Sequence, residues 1–176
     1  MQERGKAMKN KPLYFITLSA AIAAVYAALT ILLAPVSFAS IQFRLAESLN
    51  VLCCITPAAI PGMVVGCILG NLASPLGILD MILGPVATLI ACVTAYMLRK
   101  IKIGGFPVFA AISPALFNGI LVGVLECAVT PQAGFVMGFL VPFISVFISE
   151  IVVCTVLGIP LYFAAQKVLG NKLSLK

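Results

Sequence analysis

Charged residues are so rare between residues 12 and 166 that they cut this chain into six charge-free stretches: 12–43, 48–79, 81–98, 103–125, 127–149 and 151–166. A hydrocarbon layer about 30 Å thick is crossed by a helix of about 20 apolar residues, because a helix satisfies its own backbone groups without water. Composition agrees, with 62% hydrophobic and 9% charged residues, where a soluble domain carries roughly 25% charged. The chain is therefore predicted to be an all-α integral membrane protein. Its expected organisation is a basic cytoplasmic tail at 1–11, a six-helix membrane domain at 12–166 and a second basic cytoplasmic tail at 167–176. The first apolar run, 12–34, exceeds the roughly 7–15 residues of a signal-peptide core and is read as a retained span, although "SFAS" after it resembles a cleavage site.

Expected spans are 12–34, 79–98, 105–126 and a long last helix, 137–166, with 44–73 ambiguous. That stretch is either one helix kinked at Pro57 and Pro61 or two short helices joined by "ITPAAIPG". Ten of the eleven basic residues lie at 4–11, 99–102 and 167–176, and basic residues accumulate on cytoplasmic loops. Two helices in 44–73 give six transmembrane helices and put all ten on one side, with both termini cytoplasmic. One helix would scatter them. The same clustering explains the net charge of +6 without nucleic acid.

Enzymatic chemistry has little to build on. The sequence has no histidine, no Cys-x-x-Cys, no nucleotide-binding loop and no nucleophile elbow, so neither a metal, a cofactor nor ATP hydrolysis by this chain is expected. Six cysteines (Cys53, Cys54, Cys67, Cys92, Cys127 and Cys154) read as small buried hydrophobes. No internal repeat of the kind found in secondary transporters is evident.

Small residues recur every fourth position, the spacing that lets helix backbones approach closely in lipid. Gly62, Gly66 and Gly70 form one line and Gly119 and Gly123 another, both read as internal packing. Ala20, Ala23, Ala24, Ala27 and Ala28 give the first helix a broad low-relief face, either internal or a docking surface for another membrane protein. Ionisable residues inside spans are costly and mark paired or cavity-lining positions. Arg44 and Glu47, spaced i, i+3, can meet on one helix face as an interfacial ion pair or as part of a pocket. Asp80 suits a helix N-terminus, and Asn118 falls near the middle of its span with Glu126 at the outer end. Glu150 lies roughly 18 Å into the last helix at 1.5 Å per residue, with Ser145, Ser149 and Thr155 as possible partners. It is either a satisfied neutral acid or a ligand or proton site.

The stretches "ILLAPVSFASIQFRLAESLNVL" (31–52), "ITPAAIPGMVVGCILGNL" (55–72) and "GILDMILGPVATLIACVTAYMLRK" (77–100) resemble the QueT family. These are substrate-binding S components of energy-coupling factor (ECF) transporters that take up a queuosine precursor. The resemblance implies a bacterial plasma-membrane protein of six helices, its cavity near the outer face beneath the 35–43 loop. It further implies a membrane-embedded T component docked on the alanine face and two cytoplasmic ATPase subunits supplying energy. The expected substrate is a 7-deazaguanine such as 7-aminomethyl-7-deazaguanine or queuine. Its N1–H and 2-amino group suit a carboxylate, its O6 suits Asn118 or Arg44, and a cationic aminomethyl group would want a second acid. Candidate substrate-binding residues are thus Arg44, Glu47, Asp80, Asn118, Glu126 and Glu150, with Phe38, Phe43, Phe117, Phe135 and Phe139 available for stacking. Two alternatives stay open: an S component for another vitamin or purine-like solute, and a stand-alone proton-coupled carrier.

Overall fold

The structure, a computed structural model, describes residues 11–37, 43–75 and 77–173. Helix α1 spans Lys11–Leu32 and is followed by the short α2, Ala34–Ser37. A 3₁₀ segment, Leu45–Cys54, precedes α3 (Ala59–Gly70) and its 3₁₀ extension Asn71–Ala73. Helix α4 is Ile78–Met97, a hairpin pairs β1 (Lys102–Ile103) with β2 (Phe106–Pro107), and α5 is Phe109–Val129. A π turn, Val136–Leu140, leads into α6 (Val141–Val156), and α7 (Gly158–Leu173) completes the described chain.

Among the described residues, four helical runs are long and apolar enough to cross a membrane: Pro12–Leu32, Ile78–Met97, Phe109–Val129 and Val136–Val168. The ambiguous 44–73 region forms two helices, Leu45–Cys54 and Ala59–Ala73, each shorter than a span. Pro57 sits in the turn between them, whereas Pro61 lies inside the first turn of α3, where a missing N–H costs no helical hydrogen bond. The last run, expected as one helix over 137–166, is interrupted at Leu157. Pro160 explains the break, because its ring clashes with the carbonyl four residues earlier. The hairpin takes 102–107, so α5 begins at Phe109 rather than 105.

The 45–54 segment is the centre of the bundle. Residues 46–53 are all buried, and the segment touches α1, α3, α4, α5, α6 and α7. Two features differ from an ordinary transmembrane helix. It meets protein instead of lipid, and it is wound with about three residues per turn, so that residues i and i+3 eclipse. Arg44, Glu47, Asn50 and Cys53 therefore stack along one edge. In an α-helix the same four would drift around the surface. Runs of 3₁₀ helix beyond three or four residues are uncommon, and this one is tied to the helices around it through Arg44, Glu47 and Asn50.

Glycine decides how closely α1 and α3 approach. A methyl group at Gly62 would come within 2.7 Å of Ser19 O, one at Gly66 within 2.6 Å of Tyr26 Cβ, and one at Gly70 within 2.8 Å of Thr30 Cβ. Ala23 and Ala27 are buried, while Ala20, Ala24 and Ala28 are exposed. The alanine face is thus two faces, one spent on internal packing. On the other side of the bundle, Gly119 and Gly123 accept the rings of Phe143 and Phe139. Those rings belong to a ladder, Phe135–Phe139–Phe143–Phe147, with centroid spacings of 5.3, 5.9 and 5.7 Å.

Candidate functional site

Along the eclipsed edge of the central segment, each polar residue reaches a different neighbour. Arg44, 3% exposed, donates from Nη2 to Asn71 Oδ1 at 2.6 Å. Asn71 donates in turn to the main-chain oxygen of Asp80 at 2.9 Å, tying the end of α3 to the start of α4. Asp80 is buried in the first turn of α4, close enough for its charge to act on Arg44. A side chain at Gly84 would collide with the Asn71 amide, so this glycine makes room for the clasp.

One turn further, Glu47 Oε1 accepts a hydrogen bond of 2.5 Å from Tyr26 Oη on α1. Asn118 on α5 also lies beside Glu47. Its Nδ2 donates to both carboxyl oxygens of Glu150 on α6, at 3.1 and 3.2 Å. Deeper still, Asn50 Nδ2 donates to Ala110 O at 2.9 Å and to Ser113 Oγ at 3.3 Å. Glu47, Asn50, Asn118 and Glu150 are all 0% exposed. Four helices thus converge through polar side chains on one buried strip.

Arg44 and Glu47 do share an edge, but Arg44 turns to Asn71 and Glu47 to Tyr26, two separate anchors instead of the ion pair that is one of the two alternatives for them. Glu150 is met by Asn118, while Ser149 and Thr155 donate to main-chain oxygens of their own helix, Val146 and Ile151 respectively. Glu126 stands apart. It is half-buried near the end of α5, where its main-chain oxygen accepts from Thr130. Phe135 is exposed and Phe43, Phe117 and Phe139 are half-buried. Phe38 and residues 38–42 of the 35–43 loop lie outside the described residues.

Four site residues were absent from the sequence-based set: Tyr26, Asn50, Asn71 and Ser113. The three-residue spacing of Arg44, Glu47 and Asn50 was the available signal, but it means one edge only in a 3₁₀ winding. Asn71 directly follows the Gly62–Gly66–Gly70 line, and Tyr26 interrupts the alanines of α1. Each was hidden by the packing motif beside it.

Fold and site together define a multi-pass helical membrane protein whose apolar bundle encloses a polar centre. The chain belongs to the QueT transporter family, whose model matches residues 16–167. No curated relative and no solved structure matches it.

Proposed function

We propose that this chain is the substrate-specific S component of an ECF-type importer in a bacterial plasma membrane, binding a queuosine precursor of the 7-deazaguanine class. The observation that carries the reading is the buried strip Glu47–Asn118–Glu150 inside a member of this transporter family. Carboxylates in such an apolar interior are expensive, and bonding among the protein's own groups leaves part of their hydrogen-bonding capacity open. Arg44, Asp80 and Asn71 would close the outer end of that site. Glu126 drops out as a ligand contact because it lies away from the strip.

In this reading the chain makes six passes with both termini cytoplasmic, the 45–54 segment crossing within protein. Contacts at one end of the bundle support that orientation. Cys54 Sγ donates to Ala95 O near the end of α4, and Ser19 Oγ donates to Ala58 O in the 55–58 turn. Lys102 lies 5.7 Å from the Tyr162 ring, against which Phe106 also packs. The basic 99–102 cluster therefore shares an end with α7, which carries Lys167.

The outward alanines of α1 are the proposed seat of the T component, with two ATPase subunits beneath it. Ala20 and Ala23 also line a shallow apolar groove of about 300 Å³ with Phe15, Ile16, Ser19, Pro61 and Val65. Ala24→Leu is expected to leave ligand binding intact while weakening co-purification with the T component. Unchanged co-purification would reject this docking face. The decisive test of the function is uptake of labelled 7-deazaguanine into vesicles. Uptake should require the T component and ATPases together with this chain. Uptake by the chain alone, dissipated by collapsing a proton gradient, would favour the stand-alone carrier instead.

A further inference from the structure

Three buried acceptor atoms bear on how the ligand is held, an inference that rests on the substrate-binding reading above. Glu47 Oε2, Asn118 Oδ1 and Asn50 Oδ1 meet no hydrogen-bond donor among the described residues, although their side chains are fully buried. The nearby donors are spent: Tyr26 Oη on Glu47 Oε1, Asn118 Nδ2 on Glu150 and Asn50 Nδ2 on Ala110 O and Ser113. Buried polar atoms are almost always paired, so three in one strip demand a reason. All three are acceptors, which makes the imbalance one-signed. Glu47 and Asn50 lie on one edge of the central segment and Asn118 bridges to Glu150 in the same buried strip, and several open acceptors in one strip complement a ligand that carries more than one N–H donor. The cation of this centre, Arg44, is turned away to Asn71.

We propose that the site reads its ligand through N–H donors: Glu47 Oε2 and Asn118 Oδ1 receive the N1–H and 2-amino edge of a 7-deazaguanine, Asn50 Oδ1 is the acceptor one turn deeper, and O6 is not read by this cluster. Specificity then comes from the penalty on any analogue that leaves these buried acceptors unmatched. A water molecule satisfying the same atoms would impose no such ranking.

The test is equilibrium binding of four probes to the purified full chain in nanodiscs. 7-Deazaguanine presents the whole edge, 7-deazahypoxanthine lacks the 2-amino group, and 1-methyl-7-deazaguanine has its N1–H blocked. 6-Thio-7-deazaguanine keeps both donors but offers a poor acceptor at position 6. The thio compound should bind within about fivefold of 7-deazaguanine, the cost of one ordinary hydrogen bond at most. The two compounds with a broken donor edge should bind about 100-fold more weakly or worse, since a site built for N–H groups rejects analogues that lack them. Glu47→Gln, which places a carboxamide where the carboxylate stood, should cut the preference for 7-deazaguanine over 7-deazahypoxanthine to below about tenfold. That ratio is read only on folded, ligand-binding protein. Equal binding of 7-deazaguanine and 7-deazahypoxanthine overturns the donor-edge inference and leaves the substrate reading standing. So does a loss for the thio compound as large as for 7-deazahypoxanthine. Binding of none of the four removes the substrate reading and this inference with it.

Discussion

Arg44→Met is expected to lower the stability of the protein by about 3–5 kcal/mol, the usual cost of removing one partner from a buried charged cluster. The guanidinium is nearly inaccessible and donates to Asn71 at 2.6 Å. Asp80 and Glu47 both lie within its electrostatic reach. Without it, two buried acids lose their neighbouring cation and Asn71 Oδ1 loses its donor, so the central segment loses its tie to the Asn71–Asp80 clasp between α3 and α4. The double variant Arg44→Met with Asp80→Asn should recover at least about 1 kcal/mol relative to the sum of the single effects, because neutral replacements remove the uncompensated charge. Denaturant unfolding of the four proteins in one detergent gives the coupling directly. Strict additivity would mean that Arg44 and Asp80 do not act as a pair.

Gly66→Val should be comparably severe and should act on the site from a distance. Even a single methyl there would approach Tyr26 Cβ to 2.6 Å and Ala23 O to 2.9 Å, and the second of these is backbone. Overpacking a close contact costs about 1–3 kcal/mol and occasionally more, and valine adds two further carbons. The strain pushes α1 away from α3, and α1 carries the tyrosine that donates to Glu47. Loss of thermal stability and loss of ligand affinity are therefore expected together. A Gly66→Val protein with unchanged unfolding midpoint would refute the close approach of α1 and α3. Gly77, where a Cβ would meet nothing within 4 Å but the backbone has positive φ, gives a local-strain control when changed to alanine.

What could be read from the sequence divides along physical lines. Charge spacing located the long helices α1, α4 and α5 to within a few residues, because lipid imposes length and apolarity on each helix separately. The Gly62–Gly66–Gly70 line was legible as packing, since small residues at i, i+4 have few other uses in a membrane helix. The alanine face was not fully legible: Ala23 and Ala24 are adjacent in sequence, and only the position of α3 decides which one is buried. The winding of 45–54 was also out of reach. "LAESLNVLCC" contains good α-helix formers, and the 3₁₀ geometry arises from the ring of helices anchoring its polar edge. An α-helical reading of that segment paired Arg44 with Glu47 and passed over Asn50. Acidic side chains drew attention at sequence level, whereas amides did much of the bridging. Asn71, Asn118 and Asn50 link pairs of helices that no single-helix pattern brings together. Glu126 shows the converse, an acid near the end of α5, about two helical turns beyond Asn118 and away from the strip.

The central claim, that this polar strip is a substrate site, is tested most directly by titrating the purified chain, free of partner subunits, with 7-aminomethyl-7-deazaguanine. Wild type and Glu126→Gln should bind saturably and alike, whereas Glu47→Gln should bind at least about tenfold more weakly, a loss of roughly 1.4 kcal/mol. Absence of saturable binding to folded wild-type protein, or an equal loss for Glu126→Gln and Glu47→Gln, would contradict the account.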